Sequence, residues 1–188
     1  MHFFTSSLLA AVLLATPLVG APPIVGQVAE DFSLESVHGK RVRLSELTSQ
    51  SPVALIVLRG FPGYQCPLCQ RQVHDFVKHN QAFADAGVKV VFIYPGPRDD
   101  LNGRANQFLA DKNFPATFEM LLDPDYEFTN QYGLRWDAAR ETAFPSTFLL
   151  EQGGTIYFQK VAKLHGGRTT AAEILELLPK KKAPKPAQ

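Results

Sequence analysis

The stretch Val53–Gln70, VALIVLRGFPGYQCPLCQ, decides the fold. Its first six residues form a continuous apolar run rich in β-branched side chains, which is the pattern of a strand covered on both faces. Two glycines and a proline follow within residues 59–65, and beyond them apolar residues recur at helical spacing until Gly87. The sequence therefore predicts a central strand, a loop and then a helix that begins at the segment CPLC.

The residues on both sides of this stretch predict alternating strands and helices. Asp31–Leu34 and Arg41–Leu44 predict a short hairpin, and Val88–Tyr94 predicts a second apolar strand that Pro95–Pro97 ends. The other predicted elements are a helix from Asp99 or Asp100 to Leu109, a strand over Phe118–Leu122, a short helix over Pro124–Tyr132, a hairpin joining Thr147–Leu150 to Thr155–Val161 and a last helix from Thr169 or Thr170 to Leu178. We expect an α/β fold with a central mixed β-sheet, helices on both faces and an N-terminal β-hairpin.

Length and composition indicate one globular domain. The chain has 188 residues, of which 45% are hydrophobic, enough for a core and too many for a disordered chain. The formal net charge is +1, and four of the basic residues lie in a lysine- and proline-rich tail, so we expect no nucleic-acid partner. These features predict a single domain over residues 24–178 and a solvated tail over residues 179–188.

The first 21 residues predict a signal peptide. Phe3–Ala21 is apolar, carries no charged side chain and ends in a small residue. Because this stretch approaches the ~20 residues that cross a bilayer, a membrane tether through residues 3–21 is the alternative. In both cases the domain that follows lies outside the cytoplasm, in a periplasmic or secreted location.

The two cysteines fall where the predicted strand gives way to the helix. Cys66 is then the N-cap, Pro67 the first helical residue and Cys69 lies one turn further on, so that the two sulfurs lie together. The positive end of the helix dipole favours a thiolate, and the second sulfur can resolve a disulfide or a sulfenic acid formed on the first. Arg59, at the end of the strand, is a candidate for further positive potential. This arrangement predicts a redox-active pair that needs no cofactor.

A structural disulfide and a metal site are the two alternatives to a redox-active cysteine pair. A structural disulfide would close a loop of only four residues and would stabilise the fold little. A zinc site would use Cys66, Cys69, His74 and His79, but one continuous helix would turn the two histidines away from each other. Copper capture with His165 is a further version of this metal-binding alternative.

The order of the motifs resembles the thioredoxin-like superfamily. A strand, a CxxC pair at a helix start and a later Phe144–Phe148 segment ahead of a β-hairpin carry the resemblance. It implies that Pro145 is a cis-proline in the strand facing the cysteines. The lead-in Val28–Leu34, with Gly39-Lys40 and Leu44–Leu47, is similar more narrowly to the peroxiredoxin-like group, the alkyl hydroperoxide reductase and thiol-specific antioxidant family.

The peroxiredoxin resemblance also implies site residues. Pro62, Cys66 and Cys69 fit the family's spacing from its proline to its reactive cysteine, with Cys66 in place of the usual hydroxyl residue. On this alignment Cys69 would attack peroxide. The family's catalytic arginine aligns near Pro145, and Arg140 or Arg59 would have to replace it.

Residues and resemblance together predict an exported thiol oxidoreductase with antioxidant-type chemistry. Cys66 and Cys69 would cycle between dithiol and disulfide and reduce either peroxides or protein disulfides. An external thiol reductant, such as a thioredoxin-like protein, would restore the dithiol. A zinc- or copper-binding module built on the same two sulfurs is the alternative function.

Overall fold

The structure is a computed structural model that describes residues 20–179. Seven strands and six helices lie within these residues. The strands are β1 (Ser33–Ser36), β2 (Arg41–Arg43), β3 (Val53–Val57), β4 (Lys89–Gly96), β5 (Phe118–Pro124), β6 (Ser146–Leu150) and β7 (Ile156–Val161). The helices are α1 (Leu44–Gln50), α2 (Pro67–Lys78), α3 (Asn80–Ala86), α4 (Leu101–Leu109), α5 (Glu127–Gln131) and α6 (Ala171–Leu177).

The seven strands form one mixed sheet in the order β2-β1-β5-β4-β3-β6-β7. The strands β3, β4 and β5 run parallel, and the β1–β2 and β6–β7 hairpins extend this central part with antiparallel pairs. All five residues of β3 are buried, as expected for a strand with a neighbour on each edge and a layer on each face. The mixed sheet, the N-terminal hairpin and the interior position of β3 are confirmed.

Helices cover both faces of the sheet because alternate residues of β3 point to opposite sides. Ala54 and Ile56 join an apolar cluster that includes side chains of α2, α3, α4 and α6. Val53, Leu55 and Val57 join a second cluster, which includes side chains of α1 and α5. The prediction of helices on both faces is thus correct.

The prediction of one continuous helix up to Gly87 is wrong, because the helix is broken at His79. That residue ends α2 and precedes α3, with φ −100° and ψ 14°. Its ring nitrogen Nδ1 lies 2.8 Å from the carbonyl oxygen of Asp75, and the side-chain amide of Asn80 donates to the carbonyl of Val77 at 2.7 Å. These side chains bind carbonyls at the end of α2 and so compete with the helical hydrogen-bond ladder.

The loop after β3 packs closely against the end of β4. Contrary to the prediction, Pro95–Pro97 does not end this strand at Tyr94, because β4 continues to Gly96 in register with β5. The amide of Phe61 donates to the carbonyl of Pro95 at 2.9 Å. Gly60 has φ +69°, and a Cβ there would lie 1.9 Å from that same carbonyl oxygen. A glycine is therefore required at this position, because it lets the loop approach the carboxyl end of β4 before α2 begins.

Within residues 20–179, no helix combines the length and apolar character needed to cross a bilayer. Residues 1–19 of the predicted signal peptide and residues 180–188 of the predicted tail lie outside the described part of the chain.

Candidate active site

The start of α2 has the predicted cysteine geometry. Cys66 is the N-cap in an extended conformation, and its Sγ accepts a hydrogen bond from the amide of Cys69 at 3.4 Å. Pro67 occupies the first helical position, where its missing N–H costs no hydrogen bond. The prediction of Cys66 as the N-cap and Cys69 one turn into the helix is confirmed.

The two sulfurs are neighbours with opposite acidities. The largest influence on Cys66 is the hydrogen bond from the thiol of Cys69, which lowers the pKa of Cys66. Burial opposes this effect, but the amide of Cys69 and the charges of Arg168 and Arg59 reinforce it, so that the pKa of Cys66 is about 5. For Cys69, burial and the adjacent Cys66 sulfur raise the pKa well above that of an ordinary thiol. Cys66 is therefore a thiolate near neutral pH, whereas Cys69 keeps its proton.

Arg168 is the charged side chain that lies at the Cys66 sulfur, and the sequence patterns do not predict this role. Its Nη2 is 3.8 Å from Sγ of Cys66. Nη1 donates to Oε1 of Gln72 at 3.2 Å and Nε to the carbonyl of His165 at 3.1 Å, while the side-chain amide of Gln72 donates to the carbonyl of Thr169. These contacts hold the half-buried guanidinium in place. The only available signal was a basic residue after Gly166-Gly167 and before the α6 cap.

Arg59 was predicted as a source of positive potential, and the structure places it beside the site rather than at the sulfur. Its Nε pairs with Oε2 of Glu141 at 2.5 Å, Nη1 donates to the hydroxyl of Tyr64 at 2.7 Å, and Nη2 donates to the carbonyl of Arg140 at 2.5 Å. The other carboxylate oxygen of Glu141 lies 2.9 Å from Nε2 of His165. Arg59 thus ties the end of β3 to two loops, and its charge lowers the pKa of Cys66 less than that of Arg168 does.

Pro145 lies directly before β6 and is buried, but its peptide bond is trans. The cis peptide expected from the superfamily resemblance is wrong, since residues 20–179 contain no cis bond. The ring of Phe144 stacks on Trp136 at 4.8 Å, and its amide donates to the carbonyl of Leu134 at 2.9 Å. The observed trans isomer is the one that an X–Pro bond intrinsically prefers.

The remaining sequence candidates fall into two groups. Pro62 lies half-buried in the loop between β3 and α2, and its functional role stays a prediction. For the zinc alternative, no group of three or more histidine, cysteine, aspartate or glutamate side chains converges on one point within residues 20–179. His79 instead binds the carbonyl of Asp75 at the end of its helix.

A hydrogen-bonded polar pair lies near the cysteines. The hydroxyl of Tyr94 donates to Oε1 of Gln65 at 2.9 Å, and the side-chain amide of Gln65 donates to the carbonyl of Arg104. Burial and the nearby sulfurs of Cys69 and Cys66 raise the pKa of Tyr94, so its phenol stays protonated. The residue before Cys66 is therefore anchored to β4 and to α4.

The fold and the paired cysteines define a thiol oxidoreductase of the thioredoxin-like class. Residues 25–159 match the AhpC/TSA family, and the chain belongs to this family. The thiol-disulfide oxidoreductase ResA of Bacillus subtilis (strain 168) is 26% identical over 149 residues, which cover 79% of this chain and 71% of ResA. The peroxiredoxin Bcp of the same organism is 25% identical over 138 residues, covering 70% and 81% of the two chains.

A solved structure agrees with this assignment at the level of the fold. The peroxidoxin BcpB from Mycobacterium tuberculosis superposes with a TM-score of 0.68 at 21% sequence identity. The superposition covers 85% of this chain and 98% of BcpB. The thioredoxin-like fold predicted from the sequence is thus confirmed.

Proposed function

We propose that the protein is a thiol–disulfide oxidoreductase in which Cys66 attacks the substrate and Cys69 resolves the product. The observation that carries the proposal is the difference between the two sulfurs. Both cysteines are buried, but Cys66 has a pKa of about 5 and lies beside a guanidinium, whereas Cys69 keeps its proton. Since the thiolate is the nucleophilic form of cysteine, only Cys66 is ready to attack at neutral pH.

The proposed cycle conserves electrons and protons. The thiolate of Cys66 attacks one sulfur of the substrate disulfide, forms a mixed disulfide and releases the other substrate sulfur as a thiolate, which takes a proton from water. The sulfur of Cys69 then attacks that of Cys66, and the remaining substrate sulfur leaves with the proton that Cys69 loses. The substrate gains two electrons and the protein becomes a Cys66–Cys69 disulfide. An external thiol, such as a thioredoxin-like protein, returns the two electrons.

Two observations support a disulfide rather than a peroxide as the substrate. Pro145 occupies the position where the peroxiredoxin resemblance expects an arginine, and Arg59, one of the two proposed replacements, uses its guanidinium to hold Glu141, Tyr64 and Arg140. The cysteine that the peroxiredoxin spacing marks as reactive is Cys69, which is the one that keeps its proton.

Trapping the intermediate tests this proposal. Reduced Cys69→Ser protein mixed with hydroxyethyl disulfide should accumulate a mixed disulfide on Cys66, detectable by mass spectrometry of the intact protein. Cys66→Ser should form no mixed disulfide on this timescale. Wild type should proceed to the internal Cys66–Cys69 disulfide. A parallel reaction with hydrogen peroxide identifies the sulfur that becomes a sulfenic acid. The proposal would be contradicted if peroxide oxidised Cys69 faster than hydroxyethyl disulfide reacted with Cys66.

We also propose that the domain acts outside the cytoplasm, on the basis of the apolar, uncharged stretch Phe3–Ala21. Cell fractionation followed by mass determination of the isolated chain tests this. A shortened chain in a soluble extracytoplasmic fraction indicates a cleaved signal, and a full-length chain in the membrane fraction indicates a tether. Full-length protein in the cytoplasmic fraction would contradict export.

A further inference from the structure

The charge of Arg168 is balanced in the reduced site by the thiolate of Cys66. Among residues 20–179, no acidic side chain forms an ion pair with Arg168. Glu141, the acid of the adjacent network, is shared between Arg59 at 2.5 Å and His165 at 2.9 Å. The sulfur 3.8 Å from Nη2 is therefore the anionic partner that the site itself supplies.

That partner disappears during the reaction. A sulfur in a mixed disulfide carries no charge, and a guanidinium does not lose its proton in proteins. Arg168 then keeps a positive charge beside a half-buried site with no anion to balance it. A partly buried charge without a partner is less stable than a paired one, so the mixed disulfide would gain most from a substrate that brings its own anion.

Arg168 also has hydrogen-bonding capacity to receive such an anion. A guanidinium has five N–H donors, and the contacts to Gln72, His165 and Cys66 use three of them. The two remaining N–H donors could each donate to one oxygen of a carboxylate. Guanidinium–carboxylate pairs are among the stronger polar contacts in proteins. Lys163 is a second basic residue of the same loop, and it is exposed.

We propose that the protein prefers disulfide substrates with an acidic residue next to the cysteine that bonds to Cys66, and that Arg168 recognises this carboxylate. The inference rests on the proposed function, because it names the substrate class of the same site. The carboxylate takes the place of the lost thiolate charge in the mixed disulfide. Arg168 would thus serve two anions in turn, the thiolate of Cys66 before attack and the substrate carboxylate after it.

Matched peptide disulfides test the preference. Three symmetric disulfide-linked peptides would differ only in the residue before cysteine, which is Glu, Gln or Lys. The rate with each is divided by its uncatalysed rate with dithiothreitol at the same pH, which removes the intrinsic effect of the neighbouring charge on disulfide reactivity. We expect wild type to favour the Glu peptide over the Gln peptide roughly tenfold, equivalent to about 1.4 kcal/mol, and to disfavour the Lys peptide.

The variants then assign the preference to one side chain. In Arg168→Gln the Glu-to-Gln ratio should fall to about one, and because the ratio is taken within one protein, a changed thiolate fraction cancels. In Lys163→Gln, a matched charge removal from the same loop, most of the preference should remain. A ratio near one in wild type, or a ratio that survives in Arg168→Gln, would overturn the inference.

A neutral substrate separates this inference from the function on which it rests. Hydroxyethyl disulfide carries no charge, so its turnover by wild type reports the cysteine chemistry alone. Turnover of this substrate without any peptide preference removes only the acidic-substrate inference. Failure to turn over hydroxyethyl disulfide removes the proposed function, and the inference with it.

Discussion

The starts of α2 and α6 are capped with the same geometry by different atoms. Sγ of Cys66 accepts from the amide of Cys69 at 3.4 Å, and Oγ1 of Thr170 accepts from the amide of Glu173 at 3.1 Å. Both caps satisfy one of the amide groups that every helix start leaves unpaired. At α6 the cap only stabilises the helix, whereas at α2 it also favours the charged form of a reactive atom.

What separates the two caps is their surroundings. Thr170 is exposed, while Cys66 is buried between a second thiol and a guanidinium. The start of α6 also contacts the body of α2, because the amide of Ala171 donates to the carboxylate of Asp75 at 2.7 Å. A helix start by itself is thus a structural device, and the residues packed around it make it reactive.

The largest expected effect comes from replacing the sulfur cap by an oxygen cap. Cys66→Ser should lower disulfide turnover to the uncatalysed background, because a hydroxyl does not ionise near neutral pH. The unfolding free energy of the reduced protein should change by less than ~1 kcal/mol, since serine is itself a preferred N-cap residue. Turnover of hydroxyethyl disulfide and urea unfolding measure the two effects.

Thr170→Ser is the matched control, since it exchanges one capping hydroxyl for another at α6. It should leave both turnover and stability close to wild type. Turnover retained by Cys66→Ser would show that Cys69 attacks the substrate and would invert the proposed roles of the two sulfurs.

The next effect concerns the acidity of Cys66. In Arg168→Gln we expect the pKa of Cys66 to rise from about 5 by roughly one unit or more, because an opposite charge close to the sulfur is lost. The rate of attack falls as pH decreases through the pKa, so the variant should lose activity at a higher pH than wild type does. The ultraviolet absorbance of the thiolate, followed against pH, checks this. Lys163→Gln should shift the curve less, and coincident curves for wild type and Arg168→Gln would exclude a contribution of Arg168 to the acidity of Cys66.

The paired cysteines, their place at a helix start and the strand that leads to them could be predicted because local sequence determines them. VALIVL predicts a buried strand by composition alone, and Pro67 is typical of the first turn of a helix. Arg168 could not be predicted in the same way. It reaches Cys66 across 102 residues through the packing of the β7–α6 loop, which no local pattern encodes.

Two of the wrong expectations have separate physical causes. The break at His79 depends on side chains that bind carbonyl groups at the end of α2, and helical periodicity continues across it. The bond before Pro145 is trans, the isomer that an X–Pro bond intrinsically prefers, whereas the cis expectation rested on the order of the motifs. In both cases the sequence pattern allows more than one conformation.

A third helix start extends the comparison to a carboxylate. Asp123 is fully buried, and its two oxygens accept from the amides of Phe128 at 2.8 Å and Thr129 at 3.1 Å at the start of α5. Burial raises the pKa of Asp123 to about 6, although both amides oppose the shift. Asp123→Asn replaces one acceptor oxygen by an NH₂ donor that faces a buried amide. We expect the unfolding free energy to fall by about 1–3 kcal/mol, with turnover per folded molecule unchanged. Urea unfolding at neutral pH measures the loss, and a drop in turnover per folded molecule would show that α5 is coupled to the site.

The smallest effect is expected at Thr170. Thr170→Ala removes the hydroxyl that caps α6 and should lower the unfolding free energy by about 0.5–2 kcal/mol, the usual cost of losing a side-chain N-cap. Because Arg168 lies two residues before Thr170, the same substitution also asks whether the cap helps to hold the guanidinium at Cys66. The contacts of Arg168 to Gln72 and to the carbonyl of His165 do not involve the Thr170 side chain, so the pKa of Cys66 should stay at about 5. Urea unfolding and the thiolate titration, performed on the same sample, separate the two effects. A shifted titration would show that the hydroxyl cap of α6 and the sulfur cap of α2 form one unit, whereas a loss of stability alone keeps them distinct.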